Sequence, residues 1–353
     1  MPGAAAGPAA EQVEGAVEPA VQVDEGEDDD GADRLLRWAV DRTAWIGATL
    51  LTEREPEADA ALRREMANLR AAWQLARRRK DVDEAAAMIT ALFDAISYRD
   101  LVELRDWAED LAREFDTDPA LAAHPRAAAV LGTAAEAAYH RGDYARADRL
   151  GRAGLERATD EASSWYCTLP LAVAALARGA HAEVVERCLA AAERGIRVDE
   201  TLVAAALATA YAGDLDRARE LHARGHADAV SPSMRAWSEY VAGEIESIVG
   251  HAEAAERHYR RAVDLARGCG ATFLAGVAAV GLVALHGTTG RVAEALHGYR
   301  DVVDYFARTG NWPHLWPALR NLADLLRRIG DPGPAAVLDA AGVSGNSTLR
   351  PRL

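Results

Sequence analysis

The chain has 353 residues, a net charge of −15, and a composition that is 50% hydrophobic but only 6% aromatic. Its apolar content is mostly Ala, Leu and Val, which suits closely packed helices and excludes a chain disordered throughout. Nine acidic residues and no basic one fall in residues 1–31, leaving −6 for the body, so no basic field is present to attract a nucleic-acid backbone.

In chain order, residues 1–32 are Ala, Gly, Pro, Glu and Asp with a few valines, and are expected to form a disordered acidic tail. They carry no cationic start and no apolar stretch of signal-peptide type, and no membrane-length apolar run occurs anywhere in the chain. Neither secretion nor membrane association is expected, and the predicted location is the cytoplasm. Order is expected from about Leu35, where Leu35–Ile46 has helical spacing, and Pro56 ends or re-aims that region. A second helix, about 58–79, places Leu62, Met66, Leu69, Trp73 and Leu75 on one broad face. Arg77–Lys80 closes it, where cations complement the helix dipole. Residues 33–80 thus read as a short helical lead-in module. Helices near 82–96 and 101–115 flank a turn at Ser97–Asp100, and Pro119 and Pro125 mark a longer connection. Residues 81–342 are expected to be repeats and residues 343–353 an irregular tail.

Inside the repeat region one pattern returns. A glycine is followed after five positions by a small residue, as in Gly142/Ala147, Gly213/Ala218, Gly250/Ala255, Gly290/Ala295 and Gly330/Ala335, with Gly179/Val184 a weaker copy. These glycines are spaced 37, 34, 37, 40 and 40 residues apart. Such a period marks stacked helical hairpins. Gly243, Tyr259 and Ala262 take the packing positions around Gly250, as do Tyr299 and Val302 around Gly290, and Ala135 and Ala138 around Gly142. A large side chain at the crossing positions would overpack two helices. The predicted fold is an all-α, right-handed superhelical solenoid of tetratricopeptide-like hairpins.

Several stretches carry more than a generic repeat: Asn68–Trp73, Arg105–Asp106–Trp107, Arg235–Ala236–Trp237 with Gly243–Glu244, and Thr309–Trp312 with Trp316, Leu319–Leu322, Leu325 and Leu326. Between about Leu35 and Ala341 the chain resembles the C-terminal sensor half of large bacterial ATP-dependent regulators of the LuxR/MalT-like and SARP type. That resemblance implies a cytoplasmic signal-transduction protein in transcriptional regulation, whose helical superhelix senses a ligand or partner. The chain departs from the family in lacking its ATPase and DNA-binding parts. Its one lysine, Lys80, follows no glycine-rich loop, so no phosphate-binding P-loop can be built.

Other constellations are weak. His222 and His226 stand one helical turn apart with no third ligand, so no metal is expected. Cys167, Cys188 and Cys269 read as buried small apolar residues. Trp312 and Trp316 read as a packed cluster capping the last repeat, or as an aromatic lip. No nucleophile motif is present, and neither catalysis nor a cofactor is expected. The remaining candidate site is the inner wall of the superhelix, onto which the register places Glu136, Tyr139, Tyr240, Glu244, Arg320, Asp324 and Arg327. The function expected from these observations is non-catalytic regulation, with a protein or peptide segment, or a small effector, bound in the groove. The alternative is a small-molecule-binding solenoid whose ligand controls oligomerisation. The oligomeric state itself is not legible.

Overall fold

In the computed structural model the described residues are 25–345, with side chains described over 30–340. They form seventeen α-helices, a 3-10 turn at Pro119–Leu121 and no strand. Two long helices, α1 (Glu25–Leu50) and α2 (Glu55–Arg79), precede α3 (Val82–Ala91), α4 (Phe93–Tyr98) and α5 (Val102–Thr117). Six hairpins follow. They are α6 (Ala127–His140) with α7 (Tyr144–Leu155), α8 (Glu161–Ala177) with α9 (His181–Glu193), and α10 (Val198–Tyr211) with α11 (Leu215–Asp228). The last three are α12 (Pro232–Val249) with α13 (Ala252–Gly268), α14 (Thr272–Thr288) with α15 (Val292–Thr309), and α16 (Trp312–Arg328) with α17 (Pro332–Gly345). No described helix is long and apolar enough to cross a membrane.

Helix α1 starts earlier than the composition implies. Residues 25–32 are helical, which corrects that part of the expected tail. Likewise residues 343–345 belong to α17. The remainder of the two expected tails, 1–24 and 346–353, lies outside the described residues.

The hairpin turns are built locally. At the first, the Gly142 amide donates to Tyr139 O at 2.8 Å and the Asp143 amide to Ala138 O at 3.0 Å. This closure requires the left-handed backbone that Gly142 adopts at φ 74°. The Asp143 and Asp214 carboxylates then cap the next helices, accepting from the Arg146 and Arg217 amides.

The first helices α6, α8, α10 and α14 are apolar on most sides, and every residue of α6 is buried. Their partners α7, α9, α11 and α15, and also α13, are amphipathic, burying stripes such as Ala255, Tyr259, Ala262, Val263 and Ala266. Close crossing depends on small residues: a Cβ at Gly243 would lie 2.7 Å from the Tyr259 ring. The result is an all-α superhelical solenoid of tetratricopeptide-like hairpins.

This solenoid closes on itself. Along the inner layer α6 packs on α8, α10 on α12, α12 on α14 and α14 on α16, and α16 returns to α6. The seam joins an apolar cluster that includes Tyr98, Ala138, Phe273 and Leu274 to a buried polar network in which Arg99 is fully buried. Its guanidinium donates to Glu55 and Asp59 of α2, each at 2.8 Å, and to Cys269 O at 3.1 Å. Glu55 also accepts the Ser233 amide at 2.7 Å, and the Thr272 hydroxyl accepts the Asp100 amide at 2.9 Å. Tyr305 donates to the Asp100 carboxylate. The helices before the hairpins thus tie down the start of α12, the α13–α14 turn and α15, at Gly270 so tightly that a Cβ there would clash with the Asp59 carboxylate.

Candidate functional site

Closure leaves a partly open chamber of about 410 Å3. Its wall follows the repeat. The residue six positions before the turn glycine faces in from five successive hairpins, as Glu136, Val173, Leu207, Glu244 and Ala284. Leu169, Tyr240 and Val280 repeat the pattern ten positions before their glycines. The floor adds Ser97 and Tyr98 of α4, and α16 contributes Pro313, His314, Pro317 and Asn321.

The lining has a definite chemistry. Five of the nine tyrosines, Tyr98, Tyr139, Tyr211, Tyr240 and Tyr259, face it, joined by Trp237 and Phe273. Trp237 stacks on Tyr240 with ring centroids 5.5 Å apart. Three carboxyl groups are present, Glu136, Glu200 and Glu244, and no Arg or Lys lines the space.

Each carboxyl is held differently. Glu244 accepts the hydroxyls of Tyr211 and Tyr259, both at 2.6 Å, and Tyr240 also bonds it. Burial raises its pKa, the three hydroxyls opposing that. Glu200 lies 2.8 Å from Arg197, whose guanidinium also reaches Asp94 at 3.0 Å. Burial and then Asp94 push Glu200 well above the usual carboxyl range. Glu136 is only 3% exposed, and its Oε2 has no hydrogen-bond partner. His140 Nε2 lies 3.3 Å from its other oxygen. Burial pushes the Glu136 carboxyl up to about 8, with Arg105 and Ser97 acting the other way. The Tyr98 hydroxyl, also buried, is likewise unpartnered. His314 donates to or accepts from Asn311 at 3.1 Å, and burial lowers its pKa to about 4.

The structure brings together Glu136, Tyr139, Tyr240 and Glu244 of the expected groove residues. It does not bring Arg320, Asp324 and Arg327 with them, and this corrects their placement. All three are exposed; Arg327 pairs with Asp324 and with Asp339 of α17. Helix α16 keeps the register, placing Pro313, His314, Pro317 and Asn321 at the same distances from Gly330 as Phe273, Leu274, Val277 and Gly281 from Gly290, but no residue of α16 beyond Asn321 reaches the chamber. Glu200, Tyr211, Tyr259, Tyr98 and His314 were missed. Tyr211 was findable, since it stands two residues before a turn glycine, like the lining residues Ala177 and Thr288.

The weaker constellations have structural roles. His222 Nε2 and His226 Nδ1 each lie 2.9 Å from Ser238 atoms of α12. Among the described residues no group of three His, Cys, Asp or Glu is placed to hold a metal ion. All three cysteines are buried and free, their thiols pushed up to about 12 by burial. Trp312 and Trp316 stack with centroids 5.7 Å apart, and Trp312 meets Gly142 at the junction of α16 with the α6–α7 turn.

Comparison with known proteins places the fold. No family model matches the chain, and no curated protein matches it by sequence. Among solved structures it is similar to a Rap protein complexed with Competence and Sporulation Factor, with a TM-score of 0.57 and 12% identity. That match covers 86% of this chain and 97% of the other. It is also similar, at a TM-score of 0.49 and 11% identity, to the APC/C hetero-tetramer Cut9–Hcn1, over 92% of this chain and 61% of that one.

Proposed function

We propose that this protein is a non-catalytic regulator that holds a short protein segment or effector in the chamber of its superhelix, acting in cytoplasmic signal transduction and transcriptional regulation. One observation carries the reading. The solenoid surrounds a preformed space of about 410 Å3, largely apolar and rich in aromatic rings, with a few convergent polar groups. That size and character are typical of ligand sites. The likeness of fold to Rap, seen complexed with Competence and Sporulation Factor, supports it. The non-catalytic reading rests on the sequence, which carries no nucleophile motif. The regulatory role rests on the sequence resemblance.

The chamber's size also favours a second reading, in which a small molecule fills it and controls oligomerisation. Native mass spectrometry of the chain purified from the cells that make it tests both. A bound species of matching size is expected, lost on Ala284→Trp, which fills the chamber from its wall, while the melting temperature is unchanged. A peptide mass favours the first reading. A small metabolite whose removal changes the mass of the assembly in solution favours the second. A bound species retained by Ala284→Trp would place binding elsewhere and defeat both.

A further inference from the structure

Resting on the chamber as a binding site, its wall chemistry narrows what it can hold. Counting the groups in the wall and directly behind it, five carboxyls, Glu136, Glu200, Glu244, Asp94 and Asp100, face two guanidiniums, Arg105 and Arg197. Arg105 donates through Nη2 to Asp100 and to Arg99 O while its Nε has no partner, and Arg197 is shared by Asp94 and Glu200. Glu244 is satisfied by tyrosine hydroxyls. Glu136 is not. Its Oε2 is buried without a partner at the chamber wall, as is the Tyr98 hydroxyl. A polar atom left so is costly unless something completes it.

We propose that the chamber takes an organic cation, an ammonium or guanidinium group on an apolar body, with the charge seated at Glu136 and the body among the faces of Tyr139, Trp237 and Tyr240. An anion would meet carboxyls and no lining cation. A cation gains both a charge-assisted bond to Glu136 and the negative faces of the aromatic rings. The carboxyl that burial keeps protonated in the empty chamber ionises when the cation arrives, so one proton leaves as the ligand enters. The cation can come from a free amine or from the basic side chain of a peptide, and the chemistry at Glu136 is the same.

Isothermal titration with matched probes tests this: phenethylamine, 2-phenylethanol and phenylacetate for charge, and N-acetyl-Phe-Lys-amide for the peptide source. The amine is expected to bind at least tenfold more tightly than the alcohol, with phenylacetate weaker still. Heats measured in buffers of different ionisation enthalpy are expected to show proton release. Glu136→Gln removes the preference for the amine and leaves the alcohol unchanged, and the milder Tyr98→Phe weakens the amine two- to threefold. Tighter binding of the dipeptide than of phenethylamine assigns a peptide source, and the reverse a free amine; either supports the cation. Alcohol or acid binding as tightly as the amine overturns the inference while leaving the chamber a binding site. Binding by no probe of any charge overturns the inference and the proposed function together.

Discussion

Arg99 shows how one residue can tie a superhelix to the helices that precede it. Its side chain is fully buried and joins α2 to the loop after α13 through Glu55, Asp59 and Cys269 O. Removing one member of a buried ionic network strands the others without compensation, at a cost of about 3–5 kcal/mol. Arg99→Met is therefore expected to lower unfolding free energy by about that amount in a denaturant titration. A change within the range of surface substitutions would show that the seam is not a stabilising element. In sequence, Ser97–Asp100 reads only as a turn. The partners of Arg99 are 40, 44 and 170 residues away in sequence, so no local pattern reveals them.

At the level of the helices, the hairpins are legible because their signals are short-range. A turn glycine and the small residues that let two helices cross all sit within one repeat. Gly243 is the sharpest case. A Cβ there would lie 2.7 Å from both Tyr259 Cδ1 and Cε1, and the ring is pinned by its bond to Glu244 and by Tyr240. Gly243→Ala should cost about 1–3 kcal/mol through overpacking, despite the better helix propensity of alanine. Thermal unfolding measures this, and an unchanged or raised melting temperature would show that Tyr259 can move aside. The same register brings Glu136, Tyr139, Tyr240 and Glu244 to the wall but not Arg320, Asp324 and Arg327. Helix α16 lines the chamber only as far as Asn321, an end effect of the last hairpin that no repeat signal marks.

For the whole molecule, the chamber concentrates titratable groups whose neutral forms burial favours, and stability should vary with pH accordingly. Glu136 faces Ser97 and Asp94 of α4, Arg105 of α5 and His140 of its own helix; Glu200 faces Arg197 and Asp94; Glu244 faces three tyrosines. A carboxyl whose pKa rises on folding binds more protons in the folded state. Its contribution is full below the ordinary carboxyl value and is lost as pH climbs through the folded value. For Glu136 that window runs from 4.5 to about 8. His140 and His314 are lowered by burial and act in the opposite sense, but only below the ordinary imidazole value of 6.5. Between pH 6.5 and 8 the carboxyls therefore dominate, and stability should fall as pH rises. Glu136→Gln should flatten that slope by up to about 1.4 kcal/mol per pH unit, the weight of one proton. Urea unfolding across this range checks it, and a rise in stability with pH would contradict the buried carboxyls.

The sequence by itself determined the class of object: helical hairpins of a tetratricopeptide-like period, their turns, their small-residue crossings, and the four inward residues of α6 and α12. These depend on backbone conformation and contacts within a few turns, and such information is local. Only the tertiary structure decided that the curve closes, that Arg99 ties it to α2, and that the chamber gathers five tyrosines and three carboxyls without a lining cation. Closure rests on the accumulated twist of six hairpins and on pairings between residues 40 to 178 positions apart, which no single repeat encodes.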